Sequence, residues 1–425
     1  MRIVFLNPSA HLGGAEACLL DILDGIRTAR PDWSLHLVTG EDGPLLPRVR
    51  QLGISEEVLP FPSAIAQIGD SAHTPGAAGN ATLLKLAGKL SRSALPVVRY
   101  RRALRQLLSS LRPDLIHTNG FKMHLLGLWS RPGAVPVVWH VHDYVSSRPL
   151  MARLFRPNVS GCAAVIANSQ SVAADIRKLC GPQIASALTL RTIYNAVDLE
   201  RFHPNGPAAN LDALCGFPPA PAGAIHVGLV ATMAWWKGHR LFIEAVSRLP
   251  RHLPIRAFVI GGPVYRTQDS QLSLAELRTH AASLAASDRI GFPGFLEDSA
   301  SALRALDVVV HASTQPEPFG RVIMEAMACG RPVLTSGIGG SAEILDMGPG
   351  AIKFQCGNAD DLAAGIASLA EDSNLRRALG AAGRKTAESN FQRDLLARYL
   401  VPLYGSIAAS SVPATEPAAV NVSVS

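Results

Sequence analysis

No Cys-x-x-Cys pair occurs in these 425 residues; the six cysteines, Cys18, Cys162, Cys180, Cys215, Cys329 and Cys356, are scattered. That spacing excludes a disulfide framework or a zinc ribbon and reads as small buried thiols. No apolar run approaches the roughly 18 to 20 residues that span a bilayer. The opening Met1-Arg2-Ile3-Val4-Phe5-Leu6-Asn7-Pro8 is too short in its apolar part for a signal peptide and lacks a cleavage site. It is expected to be a first buried strand, in a chain that stays in the cytoplasm. Acidic residues are missing from Ser71 to Pro113, whereas Lys85, Lys89, Arg92, Arg99, Arg101, Arg102, Arg105 and Arg112 all fall there. Tyr100 is the segment's one aromatic, too few for a single-strand stacking platform, so no nucleic-acid partner is expected. Leu104, Leu107, Leu108 and Leu111 interleave with the arginines, as in an amphipathic helix at an anionic membrane surface.

What is present is globular. Apolar residues make up 48% and charged residues 17%, and the length suits two domains of ordinary size. Residues 1–200 hold 21 Lys/Arg against 14 Asp/Glu, while the remainder balances at 19 of each. Short apolar runs at Ile3–Leu6, Leu35–Val38, Leu115–His117, Val135–Val141 and Ala163–Ala167 alternate with helical patterns such as Ala15–Ile26 and Ala103–Leu111. A second series follows at Ile225–Val230, Arg256–Ile260, Arg289–Phe292, Val308–His311 and Val333–Thr335, with helices at Leu241–Leu249, Ala300–Leu306 and Arg321–Ala328. Such alternation means right-handed βαβ units and parallel sheets covered by helices on both faces. Two α/β, doubly wound domains are expected: 1–203 and 222–390, joined by a Pro/Gly/Ala-rich linker at 204–221, with a disordered tail at 410–425. Their ligands would lie in the cleft that the carboxyl ends of the strands face.

Four places carry chemistry. Thr314-Gln315-Pro316-Glu317-Pro318-Phe319-Gly320 leads into a helix whose apolar stripe is Val322, Ile323, Ala326 and Met327, with Glu325 off that stripe. Glu317 there could accept from sugar hydroxyls beside free helix N–H groups; Arg321 and Glu325 could equally be an i,i+4 ion pair on a wet surface. Second, Lys237, His239 and Arg240 crowd another helix start, where positive charge is unfavourable unless an anion sits opposite. Third, Gly13-Gly14 joins the first strand to its helix, and neither GxxxxGK[ST] nor GxGxxG is found there, which argues against an ATPase or a nicotinamide enzyme. Fourth, His140 and His142 point one way from a strand ahead of Asp143, but no third metal ligand lies nearby in sequence, so no metal is expected.

Together these residues resemble the retaining GT-B glycosyltransferases of family 4 (glycosyl transferases group 1). The resemblance runs from the Gly-Gly loop to about Tyr404. Its most specific part is Glu317-Pro318-Phe319-Gly320 with Glu325-Ala326-Met327-Ala328-Cys329-Gly330-Arg331-Pro332-Val333; Asn195-Ala196-Val197-Asp198, Lys237-Gly238, Gly261-Gly262 and Gly339-Gly340 with Glu343 support it. It implies a GT-B fold: an N-terminal acceptor domain, a C-terminal nucleotide-sugar domain, and a last helix, 391–408, that returns to the first. By the same resemblance Glu317 would bind donor sugar hydroxyls, with N–H groups of Phe319 and Gly320. Glu325 would bind the ribose, Lys237 the diphosphate with Arg321 nearby, and Gly13, Gly14, Thr232 and Gly262 would line the donor. His142 would face sugar and acceptor. Thr232 stands where many members carry a phosphate-binding Arg, which Arg240, Arg321 or His239 would have to replace.

The implied reaction moves a hexose-type sugar from a UDP- or GDP-sugar to a polysaccharide or lipid-linked acceptor, with retention, no metal and no cofactor. Two other readings stay open: a nucleotide-sugar epimerase on this architecture, and a non-catalytic membrane-surface module using Lys85–Arg112. Loops at Pro60–Leu90 and Tyr144–Pro157 are expected to choose the acceptor.

Overall fold

The computed structural model describes residues 1–62, 80–262 and 271–410; for 80–94 it describes only the helical backbone. The tail and most of the Pro60–Leu90 loop therefore lie outside the described residues.

The first domain is a seven-stranded, wholly parallel sheet. Its strands are β1 (Arg2–Asn7), β2 (Ser34–Thr39), β3 (Ser55–Val58), β4 (Leu115–Asn119), β5 (Val137–Val141), β6 (Ala164–Ala167) and β7 (Leu190–Thr192), in the order β3-β2-β1-β4-β5-β6-β7. The second is six-stranded and also parallel: β8 (Ile225–Val230), β9 (Ile255–Ile260), β10 (Ile290–Gly294), β11 (Val308–His311), β12 (Val333–Thr335) and β13 (Ala351–Lys353), in the order β10-β9-β8-β11-β12-β13. This is the expected α/β architecture of two Rossmann-like domains.

The central strands read as continuous apolar runs because both faces are covered: β4, β5 and β6 are buried at every position. Three strands escape a reading of apolar runs. β3, β7 and β13 are all edge strands with half-exposed residues, so their sequences carry no such run.

Strand order reverses between β1 and β4 in one sheet and between β8 and β11 in the other. Those switch points are where a doubly wound sheet opens a crevice. The Gly13-Gly14 turn follows β1, the Lys237 turn follows β8 and the Glu317 loop follows β11.

The helix Arg393–Ser410 lies on the first domain, where Leu396, Leu400 and Tyr404 share a core with Ile22 and Ile26 of the helix Gly14–Ala29. Gly25 permits the approach: a Cβ there would stand 3.0 Å from the Arg393 carbonyl. Tyr404 reaches through that core to a 2.6 Å bond with His117 Nδ1. The connecting segment is more than a tether, because Phe202 and Leu211 are buried in the second domain's core.

Candidate active site

Glu317 is the centre of the site. It is 5% exposed, and its Oε1 receives Lys237 Nζ at 2.6 Å, His311 Nε2 at 3.2 Å and the Ser313 hydroxyl. The strands explain the meeting. β8 and β11 are neighbours in register, so the turn after one and the loop after the other emerge side by side. Burial alone would raise the Glu317 carboxyl; Lys237, and behind it His311, outweigh that and hold it well below the usual carboxylate range. The result is a fixed anion with a cation against it, at the switch point of the second sheet.

The loop is clamped from both sides. Gly340 N–H donates to the Glu317 carbonyl at 2.7 Å, and the Tyr144 hydroxyl, from the first domain, donates to the same oxygen at 2.9 Å. Tyr144 also contacts Ser171 Oγ at 2.8 Å. Glu343 completes the clasp: its two carboxylate oxygens each accept a 2.8 Å bond, from the N–H groups of Gln170 and Ser171. A carboxylate is favoured there by the free N–H groups of the helix Gln170–Ala187.

Gly320, at φ 103°, caps the helix Arg321–Ala328 and turns the chain out of the loop. A side chain there would crowd Ile323 and Ser341 as well as strain the backbone. The Phe319 ring points away from the cleft into the core against Tyr194 and Phe391, so only its backbone faces the site's loop.

Arg321 and Glu325 do form the i,i+4 pair, at 3.2 Å, but the surface is not wet: their side chains are 13% and 15% exposed. Arg321 also reaches across to Asp21 at 3.0 Å and to the Ala196 carbonyl at 3.3 Å. Arg393 holds the other Asp21 oxygen at 2.9 Å and pairs with Asp24 and Asp198. Arg321 is thus a strut between the domains as well as a neighbour of Gly14, whose Cβ would lie 3.7 Å from Arg321 Cδ.

The crowding of three cations at the second helix start is corrected by the structure. His239 is fully buried, and that burial pulls its pKa down to about 4, leaving a neutral imidazole. Arg240 is exposed. Lys237 alone of the three turns toward Glu317. Thr232, after β8, keeps its hydroxyl buried and without a hydrogen-bond partner among the described residues. Gly262 accepts from Met233 N–H at 3.1 Å at the end of β9. Gly13 needs no left-handed backbone (φ −118°); it caps its helix with its N–H bonded to Glu16.

Taken together, these residues form one constellation spread over both domains. Residues 219–386 match the family described as Glycosyl transferases group 1, and residues 12–201 match that described as Glycosyltransferase Family 4. Each of the two domains thus matches a glycosyltransferase family model. It is 27% identical over 345 residues to the lipopolysaccharide core biosynthesis mannosyltransferase LpsB of Rhizobium meliloti (strain 1021), covering 76% of this chain and 95% of that one. With the lipopolysaccharide core biosynthesis glycosyltransferase LpsE of the same organism it shares 30% identity over 186 residues, 44% of this chain and only 51% of LpsE. A solved structure, Anabaena Alr3699/HepE in complex with UDP-glucose, has 25% identity and a TM-score of 0.75 over 96% of this chain and 100% of that one.

His142, just after β5, is partly buried, and burial followed by the charge of Arg321 pulls its pKa down to about 3. The sequence reading found no third ligand for His140 and His142; the structure brings Cys18 to them from the helix Gly14–Ala29. It also missed Tyr144, Asp21, His311 and Ser313. A polar residue at the end of an apolar strand, as His311 is, was the available signal for the last two. For Tyr144 and Asp21 there was none, because their partners lie in the other domain.

The basic segment needs a correction too. Leu104 and Leu108 are fully buried in the first domain's core, with Leu107 and Leu111 packed against it, so that stripe is not free to enter lipid. What the helix Asn80–Leu111 does expose is Leu95 and Val98, together with Arg99, Arg101, Arg102 and Arg105. The side chains of Lys85, Lys89 and Arg92 lie outside the described residues.

Proposed function

We propose that this protein transfers a hexose-type sugar from a UDP- or GDP-sugar to a polysaccharide or lipid-linked glycan, with retention of configuration and without a metal. The observation that carries this reading is the pair of half-buried Lys237 and buried Glu317 at 2.6 Å, where the turns after β8 and β11 meet. Lys237 lies where it can meet the donor's diphosphate, and Glu317 where it can accept from sugar hydroxyls. Glu325 gives one oxygen to Arg321 and offers the other to the ribose.

In the proposed step the bond from the anomeric carbon to the phosphate oxygen breaks, and its electron pair stays on the diphosphate. Lys237 stabilises that growing charge in a partly desolvated place, where it counts most. The acceptor hydroxyl attacks the same face of the sugar, and its proton passes to the departing phosphate oxygen, so no enzymic nucleophile is needed. His142, a neutral imidazole, orients sugar or acceptor by hydrogen bonding. Arg321, already shared between Asp21 and Glu325, contributes background positive charge and the placing of the helix. The UDP-glucose bound to the Anabaena structure favours a UDP donor here.

Incubation with a panel of UDP- and GDP-sugars, read by thermal shift and by release of nucleoside diphosphate with and without glycan acceptors, tests the reading. One donor should raise the melting temperature by mass action. Turnover to an epimeric nucleotide sugar without acceptor would replace transfer by epimerisation.

A second, separable reading concerns location. Among the described helices none is long and apolar enough to cross a membrane. Leu95, Val98, Arg99, Arg102 and Arg105 form one exposed stripe at helical spacing, suited to an anionic lipid surface. Flotation with vesicles containing anionic lipid, but not with neutral ones, is the expected result, and indifference to lipid charge would remove the idea.

A further inference from the structure

Behind the cleft face of the first domain lies a group of side chains of which the proposed transfer uses only His142. The His140 and His142 rings leave β5 and its end on the same side, with centroids 4.0 Å apart. Cys18, from the second turn of the helix Gly14–Ala29, closes the group: its Sγ and one nitrogen from each imidazole all lie within 4.8 Å of one another. Cys18 is fully buried and His140 is 1% exposed.

The group is short of hydrogen-bond partners. Neither ring nitrogen of His140 has a hydrogen-bond partner among the described residues, nor does Nε2 of His142 or of the adjacent His117. Each buried polar atom left unpaired costs about 1–3 kcal/mol, and several in one place call for an explanation. The rings as placed form no N–H···N bond to one another, so these nitrogens keep lone pairs that nothing among the described residues engages. A cation would use the free lone pairs directly.

We infer that Cys18, His140 and His142 form a site for a thiophilic divalent metal such as Zn²⁺, and that metal bound there blocks transfer by holding His142 away from the cleft. One thiolate and two imidazoles are a donor set suited to zinc, with a fourth position left for water. Bond lengths of about 2.3 Å to sulfur and 2.0–2.1 Å to nitrogen place tetrahedral ligand atoms roughly 3.3–3.6 Å apart, so small side-chain rotations complete the site. The metal takes the place of the Cys18 thiol proton, which leaves to solvent. Asn195 Oδ1 accepts from Cys18 Sγ at 3.1 Å; a flip of that amide would turn an N–H toward the thiolate. His142, partly exposed, marks the way in from the cleft. The blocking half of this inference rests on the proposed transfer; the binding half does not.

The test uses the full chain stripped with EDTA. Titration with Co²⁺ should give a saturable one-to-one complex with a near-ultraviolet thiolate-to-cobalt charge-transfer band, displaced by Zn²⁺. Cys18→Ser should lose that band, and His140→Gln should weaken binding by about 10-fold or more. In the transfer assay, Zn²⁺ should inhibit wild type reversibly with EDTA, while Cys18→Ser keeps basal activity and resists the metal. No charge-transfer band in wild type overturns the site. An unchanged band in Cys18→Ser overturns the ligand set. Zn²⁺ inhibition that is the same in Cys18→Ser overturns the block. Should no donor be turned over at all, the cobalt band still reports on the site, so the two readings fail separately.

Discussion

The Tyr144 hydroxyl of the first domain donates a 2.9 Å hydrogen bond to the main-chain carbonyl of Glu317 in the second. The residue whose carboxylate is paired with Lys237 is therefore held in place, through its backbone, by the opposite domain. The placement of the Glu317 loop thus depends on the contact between the two domains.

Tyr144→Phe removes that bond and the contact with Ser171 while keeping the ring. A hydrogen bond is worth about 0.5–1.5 kcal/mol, so kcat/KM should fall roughly 2- to 10-fold. Steady-state kinetics with the preferred donor measure this. Unchanged kinetics would show that the Glu317 loop holds its position without the first domain.

Lys237→Ala should lower transfer by about 100- to 1000-fold, the scale seen when a preorganised charge is removed from a developing anion. Glu317→Gln keeps the shape and loses the charge; it should reduce sugar transfer more than nucleoside diphosphate affinity. Calorimetric titration with the diphosphate alongside turnover separates the two effects. Equal losses in both for Glu317→Gln would count against its role on the sugar.

Gly339, at φ 71°, lies against the Tyr144 hydroxyl and the Glu317 backbone, and a methyl group there meets both. Gly339→Ala should cost about 1–3 kcal/mol, or about 2–4 °C of melting temperature per kcal/mol for a domain of this size. Gly405 offers a contrast: it is inside the helix Arg393–Ser410 with nothing within 4 Å of its would-be Cβ. Gly405→Ala should raise stability by up to about 1 kcal/mol. Differential scanning of both variants checks the pair.

Four buried histidines and the half-buried His142 make the fold acid-sensitive. Burial pulls His117 and His142 down to about 3 and His239 to about 4, and pushes His124 and His140 well below their ordinary value. Between those folded values and the unfolded value the unfolded chain binds more protons, so stability is full above the unfolded pKa of about 6.5 and is lost as pH falls. At about pH 5.5 each of His117, His142 and His239 costs roughly 1.4 kcal/mol. Urea midpoints should drop steeply from about pH 6.5 downward, well before carboxylates protonate. A flat profile between about pH 7 and 5 would show that these rings open to solvent.

The amino-acid sequence alone determined the two parallel sheets and most of the Glu317–Glu325 segment's placement. Central strands such as β5 and β11 carry apolar runs because both faces are covered, and Val322, Ile323, Ala326 and Met327 mark the buried side of their helix. Local pattern is strong where one short segment meets one large core. It fails at β3, β7 and β13, whose edges are half in water.

Only tertiary structure decided which charges remain available. Lys237, His239 and Arg240 are three basic-capable letters in four positions, yet one is paired with Glu317, one is neutral and buried, and one faces solvent. Arg321 looks like a phosphate ligand in sequence and is a strut to Asp21 in space. The same holds for Cys18 beside His140 and His142, and for Tyr144 on Glu317. Charge and hydrogen bonding depend on which distant segments meet, and those meetings are set by strand order and domain contact, which no local periodicity records.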